Sequence, residues 1–373
     1  MRVMESRPKE EDLILRGINA FARSSPASAA VLMAALVATS LPLGRAQPSL
    51  DRMSTKRSEC RGVSVTGGGD ALERAVNGHG PGTTFCIGEG TYKVSRNGLK
   101  LQDGDVLNGA GRASPGTGGA RPLVRILGRG SSVVWGGDRV RLRDVSITDA
   151  AKNTKCSSAT ECGQIVKPGN GWLIEGARLH HADAQCIGSP GHSLVIVNSE
   201  LDHCGNRFDG KDQNGFAGAI KGGINGAFTI RQSYVHDNNQ GVWCDVDCSS
   251  RRMPFTVFDS RILNNYSFGI HYEHTTKNPK TPAAAIIKGN VVRGNNWGKL
   301  STRGDIGIMS AKNARVKDNQ VGATKSHPGK GKGITFRNTN GRGAASGTTS
   351  GNLLNGDSLD GCSLSGVLCK KTK

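Results

Sequence analysis

Three short segments of this 373-residue chain carry side chains that could do acid, base or metal chemistry. They share a leading glycine and an alternating pattern, and read GAIK at 218–221, GVWCDVD at 241–247 and GIHYEH at 269–274. Alternation along a strand predicts that Lys221, Asp245 and Glu273 point outward. Because neighbouring strands lie about 4.8 Å apart, these three charged groups are expected to form one compact ladder.

The register of these strands decides which side chains lie together. Matching Ile220 with Cys244 and Tyr272 as core residues gives the ladder and places Trp243 and His271 in a second outward file. A slip of one residue would turn every outward group toward the core, because side chains alternate with a period of two.

Two stacked carboxylates repel each other, so one should hold a proton, share a cation or pair with Lys221. One chemistry that fits is β-elimination from a uronate, in which Lys221 removes the proton next to the carboxyl group. Oxygen ligands from Asp245, Asp247 and Glu273 would then hold a Ca²⁺ ion that neutralises the substrate carboxylate. His271 is a further candidate for a base or proton donor.

Two other functions stay open for the same residues. A retaining glycoside hydrolase would use Asp245 and Glu273 as nucleophile and acid, since a spacing near about 5 Å suits that mechanism. Alternatively, Lys221 and the two carboxylates form a purely structural salt-bridge ladder, and the protein binds a glycan without catalysis or serves as a cell-surface protein.

Aromatic and basic side chains near these segments are candidates for substrate binding. An outward Trp243 beside acidic groups would offer a flat face to a sugar ring. Arg251, Arg252 and Arg303 are candidates to hold substrate carboxylates. The histidines inside the repeats described next are expected to have only structural roles; they are His180, His181, His203 and His236.

A nine-residue phrase that recurs seven times would position these segments. Each copy has an aliphatic residue at its first and sixth positions, and the copies begin 22 to 34 residues apart. They span 142–150, 174–182, 196–204, 230–238, 257–265, 287–295 and 316–324. This period, with Gly, Asn and Asp between the copies, predicts a β-solenoid. Asn238, Asn265 and Asn295 at the ninth position are expected to stack as a structural ladder.

The composition agrees with a coiled sheet. The chain has 53 glycines, 36% hydrophobic and 5% aromatic residues, which suits coils with few inward aliphatics and many tight corners. We expect a leader at 47–64, one solenoid domain at 65–340 and a basic, Gly/Ser/Thr-rich tail at 341–373. A short helix at 71–76 would cap the open end of the solenoid.

Residues 1–46 are expected to be a secretory signal. The apolar run at 27–43 follows charged residues and ends near Pro42 and small residues. An uncleaved anchor is the alternative, because the run approaches the shortest membrane span. If the signal is cleaved, the chain has no stable membrane span and is secreted or held in the cell envelope.

All ten cysteines follow the apolar run, and an even number in an exported chain indicates disulfides. Zinc fits the sequence less well, because the cysteines form no tight CxxC pair. The spacing suggests the pairs Cys60–Cys86, Cys156–Cys162, Cys186–Cys204, Cys244–Cys248 and Cys362–Cys369.

The strong positive charge indicates an anionic partner. The formal charge of +19 falls only to +17 when six basic and four acidic residues leave with residues 1–46. Such a charge favours an acidic polysaccharide or another polyanionic surface. No nucleic acid is expected, because no recognised motif is present and the aromatics do not interleave with basic residues. We expect a monomer.

Four phrases resemble the right-handed parallel β-helix, or pectin-lyase-like, superfamily. GTTFCIGEGTY is similar to the usual first coil of that superfamily, and GAIKGG, GVWCDVDC and GIHYEHT resemble bacterial exported β-helix repeat proteins. The resemblance covers roughly residues 65–340. It implies an all-β fold, a single-stranded right-handed parallel β-helix with a short N-terminal capping helix.

The resemblance leaves the activity open, because this fold hosts lyases, hydrolases, epimerases, esterases and binding proteins. Together with the candidate site, it predicts a secreted protein that acts on an acidic polysaccharide. Uronate β-elimination is the first choice of reaction, ahead of hydrolysis and of binding without catalysis.

Overall fold

A computed structural model describes most of the chain from residue 59 onward. The described residues are 59–150, 163–188, 190–205, 218–223, 226–246, 248–249, 254–273, 285–298, 304–311, 313–326, 333–337, 347–355 and 357–358. The expected signal at 1–46 therefore lies outside the described residues. Among the described helices, none is long and apolar enough to cross a membrane.

The described strands form three long sheets, which we name A, B and C in the order in which each coil of the chain visits them. Sheet A contains β1 (Val63–Val65), β2 (Thr84–Ile87), β5 (Val106–Gly109), β8 (Arg141–Arg143), β11 (Leu173–Glu175), β14 (Leu194–Val197), β17 (Phe228–Arg231), β20 (Phe255–Phe258), β23 (Ala285–Lys288), β26 (Ala314–Lys317) and β29 (Gly347–Ser350). Sheet B contains β3 (Gly90–Lys93), β6 (Val124–Leu127), β9 (Val145–Thr148), β12 (Arg178–Ala182), β15 (Glu200–Cys204), β18 (Tyr234–His236), β21 (Arg261–Leu263), β24 (Val291–Arg293), β27 (Gln320–Gly322), β30 (Leu353–Leu354) and β31 (Asp357–Ser358). Sheet C contains β4 (Leu99–Leu101), β7 (Ser132–Gly136), β10 (Gln164–Pro168), β13 (Gln185–Gly188), β16 (Gly218–Gly222), β19 (Val242–Cys244), β22 (Ile270–Glu273), β25 (Ile306–Met309) and β28 (Ile334–Arg337).

Each strand pairs in parallel with the strand one coil away, apart from the antiparallel β30–β31 pair. Parallel strands joined by such crossovers wind to the right. The predicted right-handed parallel β-helix is confirmed. Its core is a stack of aliphatic side chains, shown in sheet C by Ile187, Ile220, Val242 and Ile270, each at most 2% exposed. Full burial of one such side chain stabilises the fold by about 1.5–3 kcal/mol.

The helix α1 (Ala71–Asn77) lies at the N-terminal end, as the sequence predicts. It buries Leu72 and Val76 against the first strands, and so covers core side chains at the N-terminal end of the described coils. At the other end, pairing continues beyond the predicted limit at residue 340, because β29 pairs with β26 and β30 with β27. In this last coil Thr349 pairs with Val316, so the first aliphatic residue of the repeat is missing and the sequence pattern did not identify the coil. Similarly, β1 begins two residues before the predicted start at residue 65.

At two corners of the coils, between sheets A and B and between sheets B and C, one residue has a backbone φ in the left-handed region. Asp144, Asn198, Gln232 and Asp259 hold this position between sheets A and B, with φ between 48° and 52°. The corner between sheets B and C uses Asp149, His181, His203, Asp237 and Asn264, with φ between 51° and 67°. Asn, Asp and His are enriched among the non-glycine residues that adopt this conformation, so most of these corner residues are common occupants of it.

The asparagine ladder is confirmed. Asn238 Nδ2 donates to Asn265 Oδ1 at 3.0 Å, and Asn265 Nδ2 donates to Asn295 Oδ1 at 2.9 Å. The ladder ends at Asp305, whose Oδ1 accepts from Asn295 and whose Oδ2 accepts the N–H groups of Gly322 and Gly333. Burial raises the pKa of Asp305 to about 8, although these donors oppose the shift.

Three of the expected disulfides are present: Cys60–Cys86, Cys186–Cys204 and Cys244–Cys248. The other two expected pairs, Cys156–Cys162 and Cys362–Cys369, lie outside the described residues. Disulfides of this kind persist in oxidising compartments, which agrees with an extracellular or envelope protein.

Candidate functional site

The outer face of sheet C carries a continuous file of outward-facing positions, one from each coil. The register pairs Lys221 with Trp243, and Trp243 with His271. The same file continues through the other coils as Lys100, Trp135, Lys167, Gly188, Gly307 and Thr335. We call these nine residues the sheet C file.

The expected register was wrong for one strand. Ile220 pairs with Val242, whereas Cys244 pairs with Gly222. Glycine fills the core position opposite Cys244, and a hydrophobic pattern cannot identify glycine as a core residue. The shift is two residues, so alternation is preserved and Lys221 still points outward. Lys221 is therefore aligned with Trp243 rather than with Asp245.

Lys221 nevertheless contacts Asp245. Its Nζ lies 2.9 Å from Asp245 Oδ2 and 4.1 Å from the centroid of the Trp243 ring. Asp245 and Glu273 each follow the paired Cys244 and Tyr272 by one residue, so the two carboxylates belong to adjacent coils. The side chain of Asp245 is 24% exposed and that of Glu273 14%, and they form the accessible edge of this cluster.

His271 lies deeper than the charged groups. Its Nε2 is 3.7 Å from Glu273 Oε2, and its ring packs against Trp243 and Phe268. His271 is 1% exposed and Trp243 is 6% exposed. The prediction that Trp243 offers an open ring face to a sugar is therefore wrong. Gly307, the next residue in the file, leaves room beside the imidazole: a Cβ there would lie 3.8 Å from His271 Nδ1.

The N-terminal half of the sheet C file is open, and sequence reasoning missed it. Lys100 and Lys167 are exposed, and Trp135 is partly exposed. Lys100 Nζ lies 5.3 Å from the Trp135 ring centroid, and Trp135 Nε1 donates to the carbonyl of Asn97 at 2.9 Å. The alternating patterns LKL at 99–101 and QIVKP at 164–168 would have predicted outward lysines. These strands precede the three segments at 218–274 that the sequence analysis aligned.

A second cluster, also missed, lies on the outer face of sheet B. Arg178 donates to both carboxylate oxygens of Asp202, from Nε at 3.0 Å and from Nη2 at 2.8 Å. His203 Nδ1 donates to Asp202 Oδ2 at 2.7 Å. Burial opposes ionisation of Asp202, but its contacts with Arg178 outweigh burial and lower its pKa.

His236 is held between two carboxylates of the same cluster. Its Nδ1 lies 2.7 Å from Asp237 Oδ2 and its Nε2 lies 3.2 Å from Glu200 Oε1. Burial alone would lower the pKa of His236, but these two contacts outweigh it and raise the pKa to about 9. His236 also stacks on Tyr234, over which Arg261 lies.

His180 and His181 form the third part of the sheet B cluster. Their Nδ1 atoms lie 2.7 Å apart, and Ser146 Oγ lies 3.0 Å from His180 Nε2. Burial lowers the pKa of His180 to about 3, and nearby Arg178 adds to the shift. Burial, followed by the proximity of His203, also lowers the pKa of His181.

The repeats contained the signal for this cluster. In three consecutive copies the fifth, seventh and eighth positions read Arg-His-His, Glu-Asp-His and Tyr-His-Asp. The structure pairs these positions from coil to coil, for example His180 with Asp202 and Asp202 with His236. If the same position had been compared across successive copies, rather than each histidine considered alone, the sequence would have predicted that these side chains lie side by side.

Several expected site residues lie outside the described residues, namely Asp247, Arg251, Arg252 and Arg303. Asp245 and Glu273 offer fewer oxygens than the six to eight that Ca²⁺ takes, and Lys221 already neutralises one of the two. The calcium site therefore stays a prediction, and no reaction step below depends on it.

No family model matches the sequence, and no curated protein matches it. Among solved structures, the chain is similar to the Dettilon tailspike protein, with 15% identity over 76% of this chain and a TM-score of 0.41. It spans 58% of that tailspike chain. It is also similar to the A-module of a mannuronan C-5 epimerase from Azotobacter vinelandii, with 15% identity, 76% of this chain, 90% of that chain and a TM-score of 0.40. An alginate lyase from Paenibacillus sp. str. FPU-7 gives 13% identity, 78% of this chain, 95% of that chain and a TM-score of 0.45. These likenesses concern the fold alone.

Proposed function

We propose that the protein is an extracellular or envelope enzyme that binds an acidic polysaccharide along the sheet C file and cleaves it by uronate β-elimination. The observation that carries this proposal is the sheet C file itself. Its open half presents lysine and tryptophan side chains, and it leads to a cluster in which a lysine, a histidine and two carboxylates meet.

The open half has the chemistry and length for an anionic chain. Lys100 and Lys221 are four strands apart, which corresponds to about 19 Å at the usual strand spacing. Exposed ammonium groups attract carboxylates, and the partly exposed Trp135 supplies a flat apolar face. The chain's charge of +19 strengthens the attraction for any polyanion, so affinity should fall as the salt concentration rises.

The contacts favour roles that differ from those expected from the sequence. The Nζ of Lys221 contacts both the carboxylate of Asp245 and the ring face of Trp243. In this proposal Lys221 therefore pairs with the substrate carboxylate and stabilises the negative charge that develops on it. His271, oriented by Glu273, acts as the base.

An imidazole nitrogen of His271 takes the proton from the carbon that bears the uronate carboxylate. The electron pair left on that carbon forms a double bond to the neighbouring carbon, whose bond to the glycosidic oxygen breaks. The oxygen leaves with the bonding pair and takes a proton from water. Because His271 is 1% exposed, the side chains around it must move when the substrate binds.

Retaining hydrolysis is a second candidate, and one observation favours it. Asp245 and Glu273 lie on adjacent coils, at a strand spacing of about 4.8 Å. Retaining glycosidases use two carboxyl groups about 5–5.5 Å apart. Asp245, which pairs with Lys221, would be the nucleophile, and Glu273 would donate the proton.

The deciding experiment incubates the protein with pectate, alginate, glucuronan and glycosaminoglycans, with and without Ca²⁺. β-Elimination predicts a new ultraviolet absorbance from an unsaturated uronate, whereas hydrolysis predicts reducing ends without that absorbance. Binding without either product would refute catalysis. Lys221→Ala should remove turnover, whereas the matched control Lys288→Ala, which removes an exposed lysine from sheet A, should not.

A further inference from the structure

We propose that His180, His181 and Asp202 form a binding site for a divalent first-row transition metal on the outer face of sheet B. One ligand atom from each residue lies within 4.8 Å of the other two. This site is separate from the sheet C cluster and does not depend on the proposed cleavage reaction.

The two histidines supply the strongest geometric evidence. Their Nδ1 atoms lie 2.7 Å apart, so one hydrogen must lie between two ring nitrogens. If a metal ion replaced that hydrogen, both rings would bind it through Nδ1. The displaced proton would move to the other nitrogen of its own ring. At Zn–N distances of about 2.05 Å and a tetrahedral angle, the two nitrogens would lie about 3.3 Å apart. His181 is exposed and has the freedom to make this small movement.

The surroundings orient the ligands as metal sites require. Ser146 Oγ contacts His180 Nε2 at 3.0 Å and so fixes that ring from the side away from His181. Asp202 is held by Arg178 and by His203, whose ring stacks on His181 at 4.9 Å. Outer contacts of this kind orient ligands and raise their affinity for the metal.

The ligand set selects the kind of metal. Two imidazoles and one carboxylate suit Zn²⁺ and its first-row neighbours, whereas Ca²⁺ and Mg²⁺ require oxygen ligands. Three protein ligands beside the exposed His181 would leave a fourth position for water.

The neighbouring group of Glu200, Asp202 and His236 is not chosen, although its atoms are equally close. Both ring nitrogens of His236 are already held by carboxylates, Nδ1 by Asp237 at 2.7 Å and Nε2 by Glu200 at 3.2 Å. This group therefore offers no imidazole nitrogen to a metal ion.

The test is titration of the folded, disulfide-bonded protein with ZnCl₂ at pH 7.5, followed by calorimetry, and with CoCl₂, followed by visible absorbance. We expect one Zn²⁺ per chain, and Co²⁺ absorption typical of mixed nitrogen and oxygen ligands. His181→Asn should weaken Zn²⁺ binding more than about tenfold, since even outer-shell changes cost that much. Asparagine tolerates the left-handed backbone of His181, so the fold should persist.

His192→Asn is the matched control, because His192 is an exposed histidine outside the cluster. It should leave Zn²⁺ affinity unchanged. The proposal is wrong if the unmodified protein binds no Zn²⁺, if His181→Asn binds it as tightly, or if both variants lose binding equally.

Discussion

The outer faces of sheets B and C both carry ionisable side chains, but these side chains are connected differently. On sheet B, Arg178 binds both oxygens of Asp202, and His236 lies between Glu200 and Asp237. On sheet C, Lys100 and Lys167 are exposed and form no ion pair with any described residue.

This difference separates stability from function. A buried charge whose partner is removed costs several kcal/mol, so the cations and anions of sheet B depend on one another. Exposed charges contribute little to stability and remain available to a ligand. Substitutions of the exposed residues of the sheet C file should therefore change affinity, whereas substitutions on sheet B should change the free energy of unfolding.

The largest expected effect concerns His271 on sheet C. His271→Gln removes the proposed base but keeps a polar side chain of similar size. General-base catalysis typically contributes about 10²–10⁴-fold, so kcat should fall by that factor, with glycan affinity and Tm nearly unchanged. Ultraviolet assays of turnover and thermal melts measure both quantities.

His192→Gln serves as the control for that experiment, because His192 is an exposed histidine that is not part of the sheet C file. Full turnover in His271→Gln would refute the base role. A large loss of Tm without a loss of kcat would show that His271 stabilises the fold, as the sheet B residues do. The proposed division between a functional sheet C and a stabilising sheet B would then be wrong.

The next effect concerns Asp202 on sheet B, with metal removed by a chelator. Asp202→Asn leaves Glu200, 3.5 Å from Nε, as the remaining anionic partner of the Arg178 guanidinium, and Arg178 is only 16% exposed. We expect a loss of about 3–5 kcal/mol in the free energy of unfolding, measured by urea denaturation. The control Asp318→Asn disrupts an exposed pair with Lys317 and should cost less than about 1 kcal/mol. Equal losses in the two variants would contradict the assignment of sheet B to stability.

The sequence predicted the fold because the fold depends on a simple rule. Aliphatic residues recur at the first and sixth positions of every aligned copy, and three consecutive copies end in asparagine, so the ladder through Asn238 and Asn265 follows directly. The site was harder to predict. Gly222 occupies a core position that hydrophobicity cannot reveal, so the register of Lys221 was misplaced.

Two further features of the site depend on contacts between distant segments. The burial of Trp243 arises from packing around its ring, including Phe268, whereas the strand pattern fixes only which way the ring points. The sheet B cluster joins His180 to His236, which are far apart in sequence and are both in ordinary repeat positions. Each histidine alone looks structural, and only their stacking suggests more.

A smaller effect on sheet B depends on pH. The pKa of His236 is raised in the folded state to about 9, so the protonated ring stabilises the fold at pH values below about 6.5. That contribution, up to about 3 kcal/mol, should disappear as the pH rises through about 9. Urea denaturation at pH 6.5 and 9.5 measures it. His236→Gln should remove this part of the pH dependence, and an unchanged profile would contradict the pairing with Glu200 and Asp237.

The smallest effect concerns Trp135 in the open half of the sheet C file. Trp135→Ala should weaken binding of the acidic polysaccharide about two- to fivefold, because exposed aromatic and cation–π contacts contribute about 0.5–1 kcal/mol. Trp297→Ala is a close control: Trp297 is 38% exposed, and its Nε1 donates to the carbonyl of Asn264 much as Trp135 donates to that of Asn97. Trp297 lies outside the sheet C file, so its loss should leave affinity unchanged. If both variants bind equally well, the polysaccharide does not contact the open half, and the charges of Lys100 and Lys167 act only at long range. If Trp135→Ala lowers kcat but not affinity, the two halves of the file are not divided between binding and chemistry.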